Sequence, residues 1–409
     1  MTITTEKPAS ILKPETPAQA AEAVQWALSA NEPLEVIGTG SKRGFGRPVQ
    51  TGHRLDLSAL NGVIAYEPEE LVLTAQAGTP MAKILPMLTE CNQQLAFEPP
   101  DYGPLYGRSA GAGTLGGLLA CGLAGPRRIK DGSARDHALG IQGVNGRGEL
   151  YRGGGKVVKN VTGYDVPKLL TGSFGTLTVL TELTVKVLPA PEETRTLLIA
   201  GGDETAAVTV LTRAMQSPYE VSGAAHLPAG VAARSSVRGV ASIAGAVTLL
   251  RLEGFAPSVA ARVAALKEEL GSDAVLDRDD SLTVWREIRD VAPFAADQSK
   301  HVWRLAVPPN DGPHVAETLR QTLEAELYFD WGGGLLWVAV TPTEDEAALV
   351  RAAMPATGHA TLVRAPDEVR AAIDLFQPLP EPLLALTRRV KESFDPRGLL
   401  NPGRMYAGV

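Results

Sequence analysis

Cysteine is nearly absent from this sequence: Cys91 and Cys121 are the only two in 409 residues. Two thiols cannot supply the four ligands of an iron–sulfur cluster, and their separation forms no Cys-x-x-Cys pair. Iron–sulfur chemistry therefore lies outside this chain, and a reducing, cytoplasmic location is expected. Both thiols are read as small buried hydrophobes. Histidine is scarce as well: His53, His137, His226, His301, His314 and His359 are scattered, with no i,i+4 pair to grip a metal. Basic residues are not in excess; the net charge of −7 gives no reason to expect attraction to nucleic acid or anionic lipid. No apolar run reaches the length of a membrane span. The start MTITTEKPAS lacks a basic-then-apolar signal, so secretion is not expected. No fixed-period repeat and no low-complexity tract is present.

What is abundant is glycine, and it is unevenly placed. A helix is predicted over 16–31, with Thr16 as cap, Pro17 in the first turn, Gln19 completing a capping box and Asn31 closing the end. Leu34–Ile37 reads as a strand, and it breaks into EVIGTGSKRGFGRP, with glycines at 38, 40, 44 and 46. A glycine loop after a strand exposes successive backbone N–H groups, which bind anions such as phosphate. The spacing is neither G-x-G-x-x-G followed by a helix nor a Gly-Lys-Ser/Thr loop, and a plain turn explains it equally well. A strand at 71–75 follows, then a helix capped by Thr79. A second glycine cluster fills 99–155, where Thr114-Leu115-Gly116-Gly117 opens an apolar segment. Two such loops in one α+β unit suit a long ligand with several anchor points, such as a dinucleotide. A hairpin is predicted over 141–151, a short helix capped by Asp165, and a strand over 176–188.

After Pro189 the composition shifts. Strands are predicted near 195–200, 246–252, 302–307, 335–341 and 360–364, alternating with helices near 257–270, 313–326, 343–354 and 366–376. A final helix and a turn-rich tail occupy 380–405. Trp285, Trp303, Trp331 and Trp337 are read as core. Arg286 and Arg289, and Lys156 and Lys159, are read as solvated faces.

The loop IGTGSKRGFGRP, the run GTLGG with SARDHALG, the stretch KNVTGYDVPKLLTGSFGTLTVLTE and the tail FDPRGLLNPGR together resemble the FAD-binding PCMH-type flavoproteins of the vanillyl-alcohol oxidase superfamily. Within it the chain is similar to the FAD-binding subunits of bacterial glycolate oxidases. VWREIRD, VWRLAVPP and DWGGGLLWVAV extend the likeness over nearly the whole chain. The resemblance implies an α+β fold: a two-lobed PCMH-type FAD-binding domain over 1–190 (lobes about 1–80 and 81–190), then a smaller ferredoxin-like α+β cap over 191–375. The tail, 376–409, would return to the FAD domain, with Arg404 folding back.

Carried over residue by residue, the family's diphosphate loop falls on Gly38, Thr39, Gly40, Ser41, Lys42, Arg43, Gly44, Phe45 and Gly46. Its Pro-x-Asp segment ends at Asp101, and its Thr-hydrophobic-Gly-Gly element is Thr114, Leu115, Gly116 and Gly117. Flavin contacts are further implied at Gly122, Gly132 and Ser133, with Arg135 and Asp136 an ion pair ordering that loop, and a contact to the nucleotide end of FAD at the Val179 backbone. His137 lies in the same segment and is read as structural. The loop lacks the His that tethers FAD in some relatives, so noncovalent FAD is expected. The segment Cys121-Gly122-Leu123-Ala124-Gly125 replaces the Thr-Asn-Ala-Gly-Gly of related dehydrogenase subunits, and LFQPLPEPLLALTRR carries no Gly-Glu-His-Gly. Base and metal are thus missing. The catalytic residues are unknown; Arg127 and Arg128 are the candidates for a carboxylate, against a solvated turn.

The expected function is an FAD-dependent oxidoreductase subunit, active in a complex, that takes part in oxidising glycolate to glyoxylate. Its partners would be a catalytic FAD subunit, an iron–sulfur subunit and a small 2-hydroxy acid, with no nucleic acid. The chain is expected in the cytoplasm, any membrane attachment coming through the complex. Two alternatives stand beside this: a self-sufficient 2-hydroxy-acid dehydrogenase, and a flavin-free assembly subunit.

Overall fold

A computed structural model describes residues 10–156, 163–272 and 274–409; Lys159 and most of the N-terminal stretch MTITTEKPAS lie outside them. The helix Pro17–Ala30 forms where its caps place it, with Thr16 accepting from the Gln19 N–H and Asn31 closing it at φ 56°. The Gln19 amide reaches back to the Glu15 N–H, not to that of Thr16, so the capping box forms one residue early. The helix buries Ala20, Val24 and Ala27 beside Leu34, Leu55 and Leu400. Leu34–Ile37 pairs parallel with His53–Asp56, and that strand pairs parallel with Ser10–Leu12.

A second sheet is antiparallel, in the order Val63–Glu67, Val72–Gln76, Thr178–Lys186, Ala138–Asn145, Leu150–Gly154. The hairpin turns at Asn145, whose Oδ1 accepts from the Arg147 and Glu149 N–H groups. Thr79 does not cap the helix Met81–Glu90. Pro80 precedes that helix, and the Thr79 hydroxyl bridges the N–H and C=O of Gly62 instead.

The cap is one eight-stranded antiparallel sheet, in the order Ala274–Leu276, Glu193–Ala200, Val247–Gly254, Gly223–Leu227, Ala325–Asp330, Leu335–Val340, His301–Ala306, His359–Arg364. Alternation along its strands gives it two apolar faces. Leu305, Phe329, Leu336 and Val338 pack under helices including Gly312–Thr322. Val302, Tyr328, Trp337 and Val363 share the largest core with Phe97, Leu119 and Leu123, which lie in loops and a short helix before the cap. The helix predicted to run to 326 stops at Thr322, and Ala325–Asp330 is a central strand, because that stretch pairs along its whole length with Leu335–Val340.

The final helix, Glu381–Phe394, leads back to the first sheet. Leu400 bridges Leu34 in parallel, and the buried Lys391 ammonium donates to the Thr176 and Leu400 carbonyls and to Asp395. The result is two small sheets, a covering cap sheet and a returning tail, the arrangement that the resemblance implies.

Candidate functional site

The first glycine loop forms one wall of a cleft of about 760 Å³, measured with its open mouth. The loop residues Gly38, Thr39, Gly40, Ser41, Lys42 and Arg43 line it, opposite Thr114, Gly116 and Gly117. Strand Thr178–Lys186 contributes Thr178 and Leu180, and the tail contributes Asn401 and Arg404.

The loop is held open by partners outside itself. The Asn401 Oδ1 accepts the Val36 N–H at 2.7 Å, and its amide donates to Phe174 O at 2.8 Å. The buried Arg404 guanidinium donates to the carbonyls of Lys42, Arg43, Phe45 and Arg47. Arg43 pairs with Glu35 at 2.6 Å, and Phe45 packs edge-on to Phe174 at 5.0 Å. With the carbonyls turned toward the tail, the N–H groups of Gly38, Thr39, Gly40, Ser41 and Lys42 have no partner among the described residues. Consecutive free N–H groups of this kind make an anion-binding concavity. The Lys42 ammonium lies beside it with only the Ser41 hydroxyl, 3.3 Å away, as a hydrogen-bond partner. Burial pulls the Lys42 amine below its ordinary range, partly offset by Cys121 and Asp101. A half-buried cation without a carboxylate partner is costly, and an anion in the cleft would satisfy it.

The second glycine element is used differently from the expectation. Thr114 caps the short helix Leu115–Ala120, and the N–H groups of Leu115, Gly116 and Gly117 are taken by Thr79 O, Ala77 O and the Thr114 hydroxyl. A Cβ on Gly116 would lie 2.7 Å from the Ala77 Cβ, so this glycine serves helix-to-strand packing; a Cβ on Gly117 would face Lys42 instead.

Several expected site residues do not line the cleft. Gly44 packs on Tyr106, and Leu115 and Val179 are core, although the neighbours of Val179, Thr178 and Leu180, do line it. Gly46 sits against Arg404. Asp101 ties its own loop by accepting from Gly103 and Gly111. Gly122 packs on Gly172. Arg135 and Asp136 form no ion pair: Asp136 closes a capping box with Ser133, and a Cβ on Gly132 would strike it. Arg127 is corrected as a carboxylate ligand, because its buried guanidinium is already bound to Glu253 at 2.6 and 2.8 Å. Arg128 is exposed and stacks on Trp331. Arg289 is not a free solvated arginine; it pairs with Asp290, which in turn accepts the Asp101 N–H.

Of the two thiols, Cys91 is exposed and Cys121 lines the cleft, so neither is the fully buried hydrophobe expected. His137 is structural, buried between the Asp131 and Lys186 carbonyls. Among the described residues no group of His, Cys, Asp and Glu is arranged to hold a metal ion, and no helix is long and apolar enough to cross a membrane. The roles of Asn401, Phe174 and Glu35 were missed. Only Arg404 signalled from the sequence that the tail completes the loop.

A family model for an FAD binding domain matches residues 8–154, and one for the C-terminal domain of FAD linked oxidases matches residues 376–405. The chain is 36% identical over 387 residues to glycolate oxidase subunit GlcE of Escherichia coli strain K12, covering 94% of this chain and 96% of that one. It is 25% identical over 420 residues to glycolate oxidase subunit GlcD of Bacillus subtilis strain 168, covering 92% and 84% respectively. Among solved structures, p-cresol methylhydroxylase with substrate bound matches at a TM-score of 0.71 and 16% identity, covering 97% of this chain and 88% of that one.

Proposed function

This chain belongs to the FAD-linked oxidase family that includes glycolate oxidase subunit GlcE, and we propose that it works as the FAD-binding subunit of a glycolate-oxidising complex. It is an FAD-dependent oxidoreductase subunit whose overall reaction takes glycolate to glyoxylate. A catalytic flavin subunit and an iron–sulfur subunit would complete the electron path, since this chain has only two cysteines. When bound, FAD supplies the two-electron acceptor that a hydroxy-acid oxidation requires.

The observation that carries this reading is the row of unpartnered N–H groups from Gly38 to Lys42 beside an unpaired ammonium. These groups would hold the FAD diphosphate by hydrogen bonds and charge. Thr114, Gly117, Thr178 and Leu180 would bound the rest of the cofactor, and Arg404 keeps the loop carbonyls out of the cleft. No His lies between Gly38 and Gly46, which supports noncovalent attachment.

Removing one charge-assisted contact costs about 1.5–3 kcal/mol. Lys42→Met is therefore expected to weaken FAD binding roughly 10- to 100-fold, measured by titrating the apoprotein with FAD and following flavin fluorescence. Unchanged affinity in that variant would remove Lys42 from the diphosphate site. A wild-type chain that cannot be reconstituted with FAD would remove the cofactor reading.

A further inference from the structure

The face of the cap sheet turned toward the FAD-binding part carries a guanidinium that nothing pairs. Arg304 lies on strand His301–Ala306, next to Trp337 across the strand pair, and Tyr328 flanks Trp337 on the other side. Val302, Tyr328 and Trp337 belong to the core shared with the FAD-binding part, so Arg304, in the same alternation, points to the same side. Among the described residues its guanidinium makes no hydrogen bond and no ion pair. Its one specific contact is with Trp331, the guanidinium carbon lying 4.8 Å from the ring centroid.

A second unpaired arginine reaches the same ring. The Arg128 guanidinium carbon is 4.3 Å from the Trp331 centroid, and this side chain too has no hydrogen-bond partner. Trp331 is anchored: its indole N–H donates to Gly125 O at 3.1 Å. The Tyr102 hydroxyl makes no hydrogen bond among the described residues; its ring is edge-on to Trp337 at 5.8 Å, and it interacts electrostatically with Arg304. Burial lowers the Arg304 guanidinium's basicity; Tyr102 and Asp330 favour its charge and Arg128 opposes it. Stacking on an indole compensates part of the cost of holding two cations together, but leaves their forked N–H donors unused. By contrast, Arg127 and Arg251 nearby are saturated by Glu98 and Glu253.

We propose that Arg304 and Arg128, spaced by Trp331 and supported by the Tyr102 hydroxyl, form a binding site for the carboxylate of a small 2-hydroxy or 2-oxo acid. The planar fork of arginine matches a carboxylate, and a tyrosine hydroxyl can donate to the same group. Gly125, four residues after Cys121, ties the site to the segment whose Cys121 lines the cofactor cleft. The identity of the acid rests on the proposed glycolate chemistry; the anion site itself rests on the unpaired donors.

The test uses the full chain, loaded with FAD and in complex with its partner subunits if it purifies only with them. Oxalate is titrated against it and followed by calorimetry and by tryptophan fluorescence, with neutral glycolamide as the uncharged control. Oxalate is expected to bind and glycolamide not. Arg304→Met should weaken oxalate roughly 10- to 100-fold, Arg304→Lys should restore part of the loss, and Arg128→Gln, an exposed change, should weaken it less, all with FAD content unchanged. Equal oxalate affinity in wild type and Arg304→Met, or no oxalate binding by the wild type at millimolar concentration, would overturn the site. Loss of FAD from the wild type with oxalate binding retained would overturn the cofactor reading and leave the anion site supported.

Discussion

Asp330 shows how one buried residue makes stability depend on pH. It ends the strand Ala325–Asp330, is buried, and accepts the Trp331 N–H at 2.7 Å. Burial pushes its carboxyl up to about 7; the Trp331 N–H opposes this, and Glu98 adds to it. The native chain therefore holds this proton more tightly than the unfolded chain, whose aspartate titrates near 3.9. Stability from this group is present below about pH 4 and is lost as pH rises to about 7, at up to about 1.4 kcal/mol per pH unit. Asp330→Asn should flatten the urea-unfolding profile between pH 5 and pH 8 relative to wild type, since His226 and other groups titrate in both. Parallel profiles would show that Asp330 ionises normally. At this scale the sequence was informative where local chemistry decides. Thr16, Asn31 and Asp165 cap as their types suggest, and the glycines from 38 to 46 do form a loop with free donors. Gly116 both lines the cleft and packs on Ala77, a second role its type did not reveal, and the sequence misled at Arg127, whose partners lie far along the chain.

At the scale of elements, the loop and the tail form one unit. Among the described residues, 38–46 carry only two short-range backbone bonds of their own, Arg43 N–H to Gly40 O and Phe45 N–H to Lys42 O. The loop's carbonyls are collected by Arg404, and the strand that enters it is registered by Asn401, more than 350 residues later. Burial pulls the Arg404 guanidinium down to about 10, and Cys121 partly opposes this, so it remains charged at neutral pH. Arg404→Met would leave the Phe45 and Arg47 carbonyls without donors among the described residues, while Lys42 O keeps the Phe45 N–H and Arg43 O keeps Arg370. The expected cost is about 2–4 kcal/mol in stability, on the scale of a few charged hydrogen bonds and buried acceptors. FAD affinity should also fall more than tenfold, as the loop no longer presents its N–H groups. A chain that is destabilised yet binds FAD normally would separate tail docking from loop shape. Periodicity revealed the strands at 34–37, 302–307 and 335–341, because each alternates or runs apolar between turns. The strands Gly223–Leu227 and Ala325–Asp330 were missed. Their sequences, GAAHL and AELYFD, carry helix-forming residues, and only cross-strand pairing in a wide sheet makes them extended.

At the scale of the whole molecule, the cap and the FAD-binding part are joined by charge as well as by apolar packing. Glu98 and Arg127 come from the first part, Arg251 and Glu253 from the cap strand Val247–Gly254. Arg251 grips Glu98 through two bonds of 2.8 and 2.9 Å, and Arg127 grips Glu253 through two of 2.6 and 2.8 Å. Burial opposes ionisation of both carboxyls, but the two arginines outweigh it and hold both below the ordinary carboxylate range. Their stabilising contribution is therefore present above about pH 4.3 and is lost as acid carries the pH down through the lowered native values. The network also fixes how the cap lies over the segment containing Gly125, and so where Arg304 and Arg128 meet. Arg251→Met breaks it from one side and leaves Glu98 short of a partner inside the protein, at an expected cost of about 3–5 kcal/mol. Adding Glu98→Gln removes the stranded charge, so the double variant should recover part of that loss. If the double variant is instead as unstable as the sum of the two single ones, Arg251 and Glu98 do not stabilise each other, and that pair does not hold the cap.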